Sequence, residues 1–453
     1  MVRNNTRPLY LRSDVALDAT PSGVVLCRQG TDVVHRLDLA DAIAVSLYAQ
    51  FGDFDQVASH LGELADEATG AARAANVLER WSTYLGVGTP RPISQRLLED
   101  FRAVPTGDHL QREAAPAAVS WLVTLTCNRR CPYCYYKVLP WDGTVATPAD
   151  ANFPQSDVIR VVDEMALLGT STLYLTGGEP LLRADLLAII KRAASQGIRV
   201  FLNTKYFISD EMAGALRDAG IHEVSYSLDA ATDKVADAMA GHKGYLQEAI
   251  SSISALLRAG VDTRVNAVAT STSATGLLGL ARLCLSLGVR HLTISPFMDP
   301  SFARSSHVKL IRLGPPLGEV VAQLQEEVGE GLQLSVGSAE AAASSARVDC
   351  SDRLLCEVGI KTLDILPDGR VTRCRYSPND EMLVVGDLRR QTLLQVWNGE
   401  PLLRLTFPKP DQFPDTACAS CGEREACSGR GRCIVGAKLR HGEYLAPDAA
   451  CVH

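Results

Sequence analysis

Between residues 119 and 297 the apolar positions follow two rhythms in turn. Short runs that are apolar at every or every second position give way to longer stretches with apolar residues three and four apart. The first rhythm predicts strands at 120–125, 172–175, 199–202, 223–228, 263–269 and 291–295. The second predicts helices at 158–168, 182–194, 210–219, 246–259 and 274–287. Six strands joined by five helices imply right-handed crossovers and a parallel sheet. Curled, such a sheet is an incomplete (β/α)6 barrel, with its reactive face at the carboxyl ends of the strands.

The flanks have other patterns. Residues 1–90 predict a small separate domain with a winged-helix outline. A hairpin of 23–28 and 32–37 turns at Gln29-Gly30-Thr31 and precedes three helices. Asp38 and Asp53 are the expected caps of the first two. The third, near 71–85, sets Val77, Leu78, Trp81 and Leu85 on one face. Residues 91–118, broken by Pro92, Pro105 and Pro116, predict a linker. Residues 298–349 bridge to a cysteine-rich part at 350–453.

Charge narrows the function. The chain has 453 residues and a net charge of −7. In residues 1–90, seven arginines and no lysine face eleven acidic residues, the wrong sign for binding nucleic-acid phosphates. No stretch is apolar for long enough to span a membrane, and no hydrophobic segment follows Arg3 and Arg7, so neither anchor nor signal peptide is expected. Thirteen cysteines are an odd number in a large chain; eleven fall in two clusters, while Cys27 and Cys284 stand apart. Metal ligation in a reducing cytoplasm explains this better than disulfides.

The chemistry centres on Thr126-Cys127-Asn128-Arg129-Arg130-Cys131-Pro132-Tyr133-Cys134, directly after the first barrel strand. Three thiolates in a CxxxCxxC loop can hold a [4Fe–4S] cube with one iron left open. Zinc is the alternative, although a closed zinc site takes four ligands and no fourth Cys or His lies nearby. The second strand ends in Gly177-Gly178-Glu179-Pro180, the third in Asn203-Thr204-Lys205 and the fourth in Ser227-Leu228-Asp229. All lie where a barrel does its chemistry.

This arrangement resembles the radical S-adenosylmethionine (radical SAM) family across the whole middle section. The resemblance implies that Cys127, Cys131 and Cys134 hold the cube and that the methionyl group of SAM chelates its open iron. Gly177, Gly178, Glu179 and Pro180 would form the amine-binding motif, with Ser227 and Asp229 toward the carboxylate and ribose, and Asn203 and Tyr133 close by. Relatives tend to place an arginine a dozen residues beyond the S-x-D segment. Ala240 stands there instead, which makes His242 or Lys243 the expected substitute. The implied reaction begins with a 5′-deoxyadenosyl radical that abstracts hydrogen from unactivated carbon.

The C-terminal cysteines are Cys350, Cys356, Cys374, Cys418, Cys421, Cys427, Cys433 and Cys451. Pro367-Asp368-Gly369 predicts a hairpin turn that brings Cys356 and Cys374 together. The pattern resembles the SPASM extension of radical SAM maturases. That implies two auxiliary [4Fe–4S] clusters, one on Cys350, Cys356, Cys374 and Cys433, the other on Cys418, Cys421, Cys427 and Cys451. With the SAM-binding cube, three clusters are implied. Zinc held by the 418–433 cysteines is the alternative. Arg375 stands where sulfatase-maturing relatives carry an aspartate base, which argues against that reaction.

The front domain resembles the RiPP recognition element, which adds a leader peptide as a strand to its hairpin. The fold expected is therefore α/β: a partial radical SAM barrel, an N-terminal winged-helix-like domain and a C-terminal cysteine-rich SPASM domain. The function expected is a peptide maturase that oxidatively crosslinks a ribosomal precursor peptide and takes electrons from a donor such as flavodoxin or ferredoxin. The alternative is an oxidoreductase acting on a small molecule.

Overall fold

The computed structural model describes residues 9–12, 15–20, 23–28, 34–37, 39–64, 67–86, 112–113, 115–134, 153–270, 272–297, 317–336, 356–377, 380–413, 416–429, 431–448 and 451. Asp38, the turn at 29–31, most of the linker 91–118 and Cys350 lie outside the described residues.

The N-terminal part begins with β1 (Tyr10–Leu11), β2 (Val15–Thr20), β3 (Gly23–Arg28) and β4 (Val34–Leu37). Helices Leu39–Phe51, Phe54–Leu64 and Glu67–Trp81 follow, and β5 (Leu85–Gly86) returns to pair with β1. The expected hairpin β3–β4 is present, and β2 joins it as a third antiparallel strand. Asp53 caps the second helix by accepting the Gln56 N–H at 3.0 Å. Tyr48 and Trp81 tie the helices together, donating to the Ala74 carbonyl at 3.0 Å and to Asp41 at 3.1 Å.

The rest is organised on one ten-stranded sheet. Its strands are β6 (Ala118–Leu122), β7 (Thr172–Thr176), β8 (Arg199–Thr204), β9 (Glu223–Ser227), β10 (Thr263–Ala269), β11 (His291–Pro296), β12 (Gln333–Val336), β13 (Thr362–Ile365), β14 (Arg370–Thr372) and β15 (Val384–Asp387). They lie in the order β12-β11-β10-β9-β8-β7-β6-β13-β14-β15. From β6 to β12 sequential neighbours pair in parallel, so successive right-handed crossovers stack their helices on the same face. Val119, Trp121, Leu173, Leu175, Val200, Leu202, Val265 and Ala267 pack on that side and are fully buried. The opposite face is polar and partly open. Tyr174, in register with Ser120 and Phe201, is 40% exposed.

Four expectations need correction. The helix expected near 71–85 runs Glu67–Trp81, and Leu85 lies in β5. The helix expected at 182–194 begins only at Leu186, after a short turn at Pro180–Leu182. The Arg183 guanidinium holds the intervening chain by donating to Asp185 at 2.6 and 3.0 Å and to the carbonyls of Val123 and Phe153. An unexpected helix, Asp233–Ala240, stands between β9 and the helix Tyr245–Arg258. The sheet also continues past six strands: β12 adds beside β11, and β13 pairs in parallel with β6 on the other side. The C-terminal hairpin is thus joined to the strand that leads into the first cysteine loop.

Candidate functional site

The cysteine loop and the Gly-Gly-Glu loop emerge from neighbouring strands and are stitched together through their backbones. Gly178 N–H donates to the Thr124 carbonyl and Glu179 N–H to the Thr126 carbonyl, both at 2.7 Å. The glycines are needed for this approach. A Cβ on Gly177 would stand 2.3 Å from the Thr124 oxygen, and one on Gly178 would stand 2.2 Å from the Thr126 oxygen. Gly177 also has φ +141°, which disfavours any side chain. On the other flank, Arg130 N–H donates to the Ala240 carbonyl at 3.0 Å, closing the helix Asp233–Ala240 over the loop. Cys127 sulfur accepts the Arg129 N–H at 3.4 Å, and burial pushes its thiol up to about 12. Cys131 and Cys134 lie close enough for their charges to add to that shift.

Glu179 is 2% exposed. Its carboxylate accepts from Leu181 N–H at 3.1 Å, Thr204 hydroxyl at 2.7 Å and Lys205 N–H at 3.0 Å. An ionised carboxylate has about four acceptor positions, so one is left for an incoming ammonium. Burial nonetheless raises its pKa above the ordinary value. Pro180 is buried at the start of the following turn.

Beyond Glu179, Lys205 and Asp229 form a buried ion pair at 2.6 Å. Asp229 also accepts from Tyr133 hydroxyl at 2.7 Å and Val268 N–H at 2.8 Å. The Lys205 ammonium stands over the rings of Tyr133 and Tyr245, at 5.2 and 5.4 Å. Burial works against this cation, but the charges of Asp229, Tyr133 and Cys131 prevail and raise its pKa well above the usual lysine value. Ser227 is half-buried, its carbonyl bonded by Tyr245 hydroxyl, and Asn203 is exposed on the same face. His242 turns elsewhere, to Glu248 at 2.9 Å, which in turn holds the buried Arg129 at 2.6 Å. Lys205 and Arg129 are cations that the sequence reading left unassigned. Their signal was adjacency: each neighbours a motif residue.

The C-terminal thiols form two groups. Cys356, Cys374 and Cys433 lie within electrostatic reach; burial first, then Cys356, Asp364 and Cys433, push Cys374 up to about 12, and burial first, then Asp448 and Cys356, push Cys433 to about 11. Cys433 sulfur accepts the Gly436 N–H at 3.3 Å, at the amino end of the helix Ile434–His441. Cys418, Cys421 and Cys451 line a cavity of about 320 Å³. Cys427, on the helix Arg424–Gly429, is not among the residues lining it. None of Cys127, Cys356, Cys374, Cys418, Cys421 and Cys433 is in a disulfide. Among the described residues no three His, Cys, Asp or Glu side chains converge as the ligands of one metal ion do. Cys418, Cys421 and Cys451 share one cavity, and an all-sulfur donor set fits iron–sulfur clusters. The glycine-lined loop, with one acceptor position left on Glu179, fits the amino group of SAM.

A family profile described as the radical SAM superfamily matches residues 121–280, and one described as the SPASM iron–sulfur cluster-binding domain matches residues 356–422. The GTP 3′,8-cyclase of Rhodococcus opacus (strain B4) is 30% identical, with the match covering 65% of this chain and 86% of the cyclase. The mycofactocin maturase MftC of Mycobacterium ulcerans (strain Agy99) is 29% identical, covering 75% of this chain and 88% of the maturase. Among solved structures, Streptococcus suis SuiB shares the fold with a TM-score of 0.66 at 17% identity, over 98% of this chain and 100% of its own. The chain belongs to the radical SAM superfamily and carries a SPASM domain. It is a radical enzyme whose cofactors are SAM and iron–sulfur clusters.

Proposed function

We propose that this enzyme is a peptide maturase that binds the leader of a ribosomally made precursor and oxidises a side chain of the core peptide into a thioether, carbon–carbon or ether crosslink. The observation that carries the reading is the extent of the likeness to SuiB, which runs over 98% of this chain and so includes the front domain. SuiB has been solved bound to the precursor peptide SuiA. The front sheet supports the same reading. In the order β2-β3-β4, each outer strand is paired on one side only among the described residues, so an extended peptide can add as a further strand. The polar, partly open face of the large sheet offers the core peptide hydrogen-bonding partners such as Asn203, Ser225 and Asn266.

The division of labour follows. Residues 1–90 bind the leader, 91–118 link, 119–297 form the barrel, 298–349 bridge, and 350–453 carry the auxiliary clusters. Cys127, Cys131 and Cys134 hold the SAM-binding cluster. The two auxiliary [4Fe–4S] clusters are held by Cys350, Cys356, Cys374 and Cys433, and by Cys418, Cys421, Cys427 and Cys451. When bound, SAM and its cluster supply the 5′-deoxyadenosyl radical that removes hydrogen from the substrate. Gly177 and Gly178 clasp the cluster loop, Glu179 accepts from the SAM ammonium, and Asp229 fixes Lys205 and Tyr133 beside it. The reductant is a flavodoxin or ferredoxin in a reducing, cytoplasmic compartment.

A small-molecule substrate is the second reading, favoured by the 30% identity to a cyclase named for GTP. Anaerobic co-expression with a short peptide encoded beside the gene separates the two. Loss of two hydrogens, dependent on both the leader and Cys127, Cys131 and Cys134, is expected by mass spectrometry. A peptide of unchanged mass that also fails to bind the full chain sinks the maturase reading.

A further inference from the structure

Arg373 is among the largest fully buried side chains, with 1% of its surface exposed, and it immediately precedes Cys374. Its Nη1–H donates to the Cys356 sulfur at 3.2 Å, and its Nη2–H reaches the Arg432 carbonyl at 3.5 Å. Its Nε–H has no hydrogen-bond partner among the described residues. A buried donor left unsatisfied costs free energy, more so when the group is charged. An arginine kept at this cost, in contact with one cluster ligand and adjacent in sequence to another, calls for an acceptor that the described residues do not supply. Inorganic sulfide is such an acceptor. Asp364 also feels the charge of Arg373, but it is bonded by Arg375, through the backbone N–H at 3.1 Å and the guanidinium at 3.5 Å.

We propose that Arg373 is the fixed cation of the auxiliary site built on Cys356, Cys374 and Cys433, donating to its sulfurs and raising its reduction potential, so that this site accepts the electron released in the oxidation. The inference rests on the auxiliary-cluster reading above and adds a direction of electron flow to it. A cube bound by four thiolates is anionic, and it gains one further negative charge on reduction. A buried cation therefore stabilises the reduced form more than the oxidised form, and hydrogen bonds to sulfur act in the same sense. The reaction balances. One hydrogen atom leaves the substrate carbon for the 5′-deoxyadenosyl radical, and the carbon bonds to a neighbouring heteroatom. That heteroatom releases its proton to solvent, and the remaining electron reduces the auxiliary site by one.

The test is a potentiometric titration of the full-length chain, reconstituted anaerobically and followed by electron paramagnetic resonance. Cys127, Cys131 and Cys134 are replaced by alanine so that only the auxiliary centres report. R373M is expected to retain its iron and to take up an electron at least tenfold less readily at one centre, a fall of about 59 mV for a one-electron couple. The second centre keeps its potential, and R373K recovers part of the loss. Should the methionine variant not load, R373Q serves as the neutral substitution. A neutral variant with full iron and an unchanged potential overturns the role of Arg373 alone. Iron that does not fall when Cys356, Cys374 and Cys433 are replaced overturns the auxiliary site, and the Arg373 proposal with it.

Discussion

Lys205 directly follows β8, with its ammonium enclosed by Asp229, Tyr133 and Tyr245. Asp229 is 1% exposed, and its three donors are Lys205, Tyr133 and the Val268 N–H. Replacing Lys205 with methionine leaves that carboxylate buried without a counter-ion, which costs about 3–5 kcal/mol. Urea unfolding of Lys205→Met should show a loss of that order, and the double variant with Asp229→Asn should recover most of it. A single variant as stable as the wild type would mean that the pair is solvated. The pH dependence has a definite sign. The folded pKa of Lys205 lies above its unfolded value, so its stabilisation is complete below the ordinary lysine pKa of 10.5 and is lost only as alkaline pH rises through the raised value. Between neutrality and about pH 9 Lys205 should contribute no slope to an unfolding titration.

At the scale of elements, the site is a clasp between two loops. Its two 2.7 Å backbone bonds depend on the absence of a side chain at Gly178, where a Cβ would meet the Thr126 oxygen at 2.2 Å. Gly178→Ala must part the loops, at a cost of about 1–3 kcal/mol for the forced shift. The expected outcome is a protein that keeps its auxiliary iron, loses iron at the Cys127 loop and binds SAM at least tenfold more weakly by equilibrium dialysis. Undiminished SAM affinity would show that the clasp is dispensable. The clasp was half legible in the sequence. A Gly-Gly pair after a strand announces close approach, but what approaches, the neighbouring cysteine loop, depends on the pairing of β6 with β7. The helix–strand series was legible because each element carries its own period. The strand β12 was not, and neither was the place of β13 in the large sheet, although the turn at Pro367-Asp368-Gly369 announced its hairpin with β14. Both β12 and β13 are four residues long, and β13 finds its partner Ala118 from Thr362, a pairing set by tertiary packing and not by local pattern. The helix Asp233–Ala240 was missed for a similar reason: it is short, and only Ala236, Met239 and Ala240 are buried. Burial also gave Arg373 and Lys205 their significance, since a sequence shows charge without depth.

For the whole molecule, the main consequence is that the large sheet is shared. Because β13 lies directly against β6, the strand leading to Cys127 and the hairpin leading to Cys374 belong to one layer. Asp364 on β13 binds Arg375, and Arg375 reaches across to Ser120 on β6 at 2.8 Å. The SAM-cluster loop and the auxiliary part are thus held in fixed relation, as electron exchange between centres requires. The ligand sets proposed for them share no residue, however, and each group of thiols is organised by its own loops and helix ends. Assembly of the clusters should therefore be independent even though their positions are coupled. The three [4Fe–4S] clusters proposed above would amount to about twelve irons, and removal of one should leave about eight. Replacing Cys127, Cys131 and Cys134 together by alanine should leave about two thirds of the iron and the auxiliary magnetic resonance signals while abolishing SAM cleavage. Iron that falls to zero would mean that the three sites assemble as one unit. Iron that falls by half would mean that one auxiliary cluster is absent.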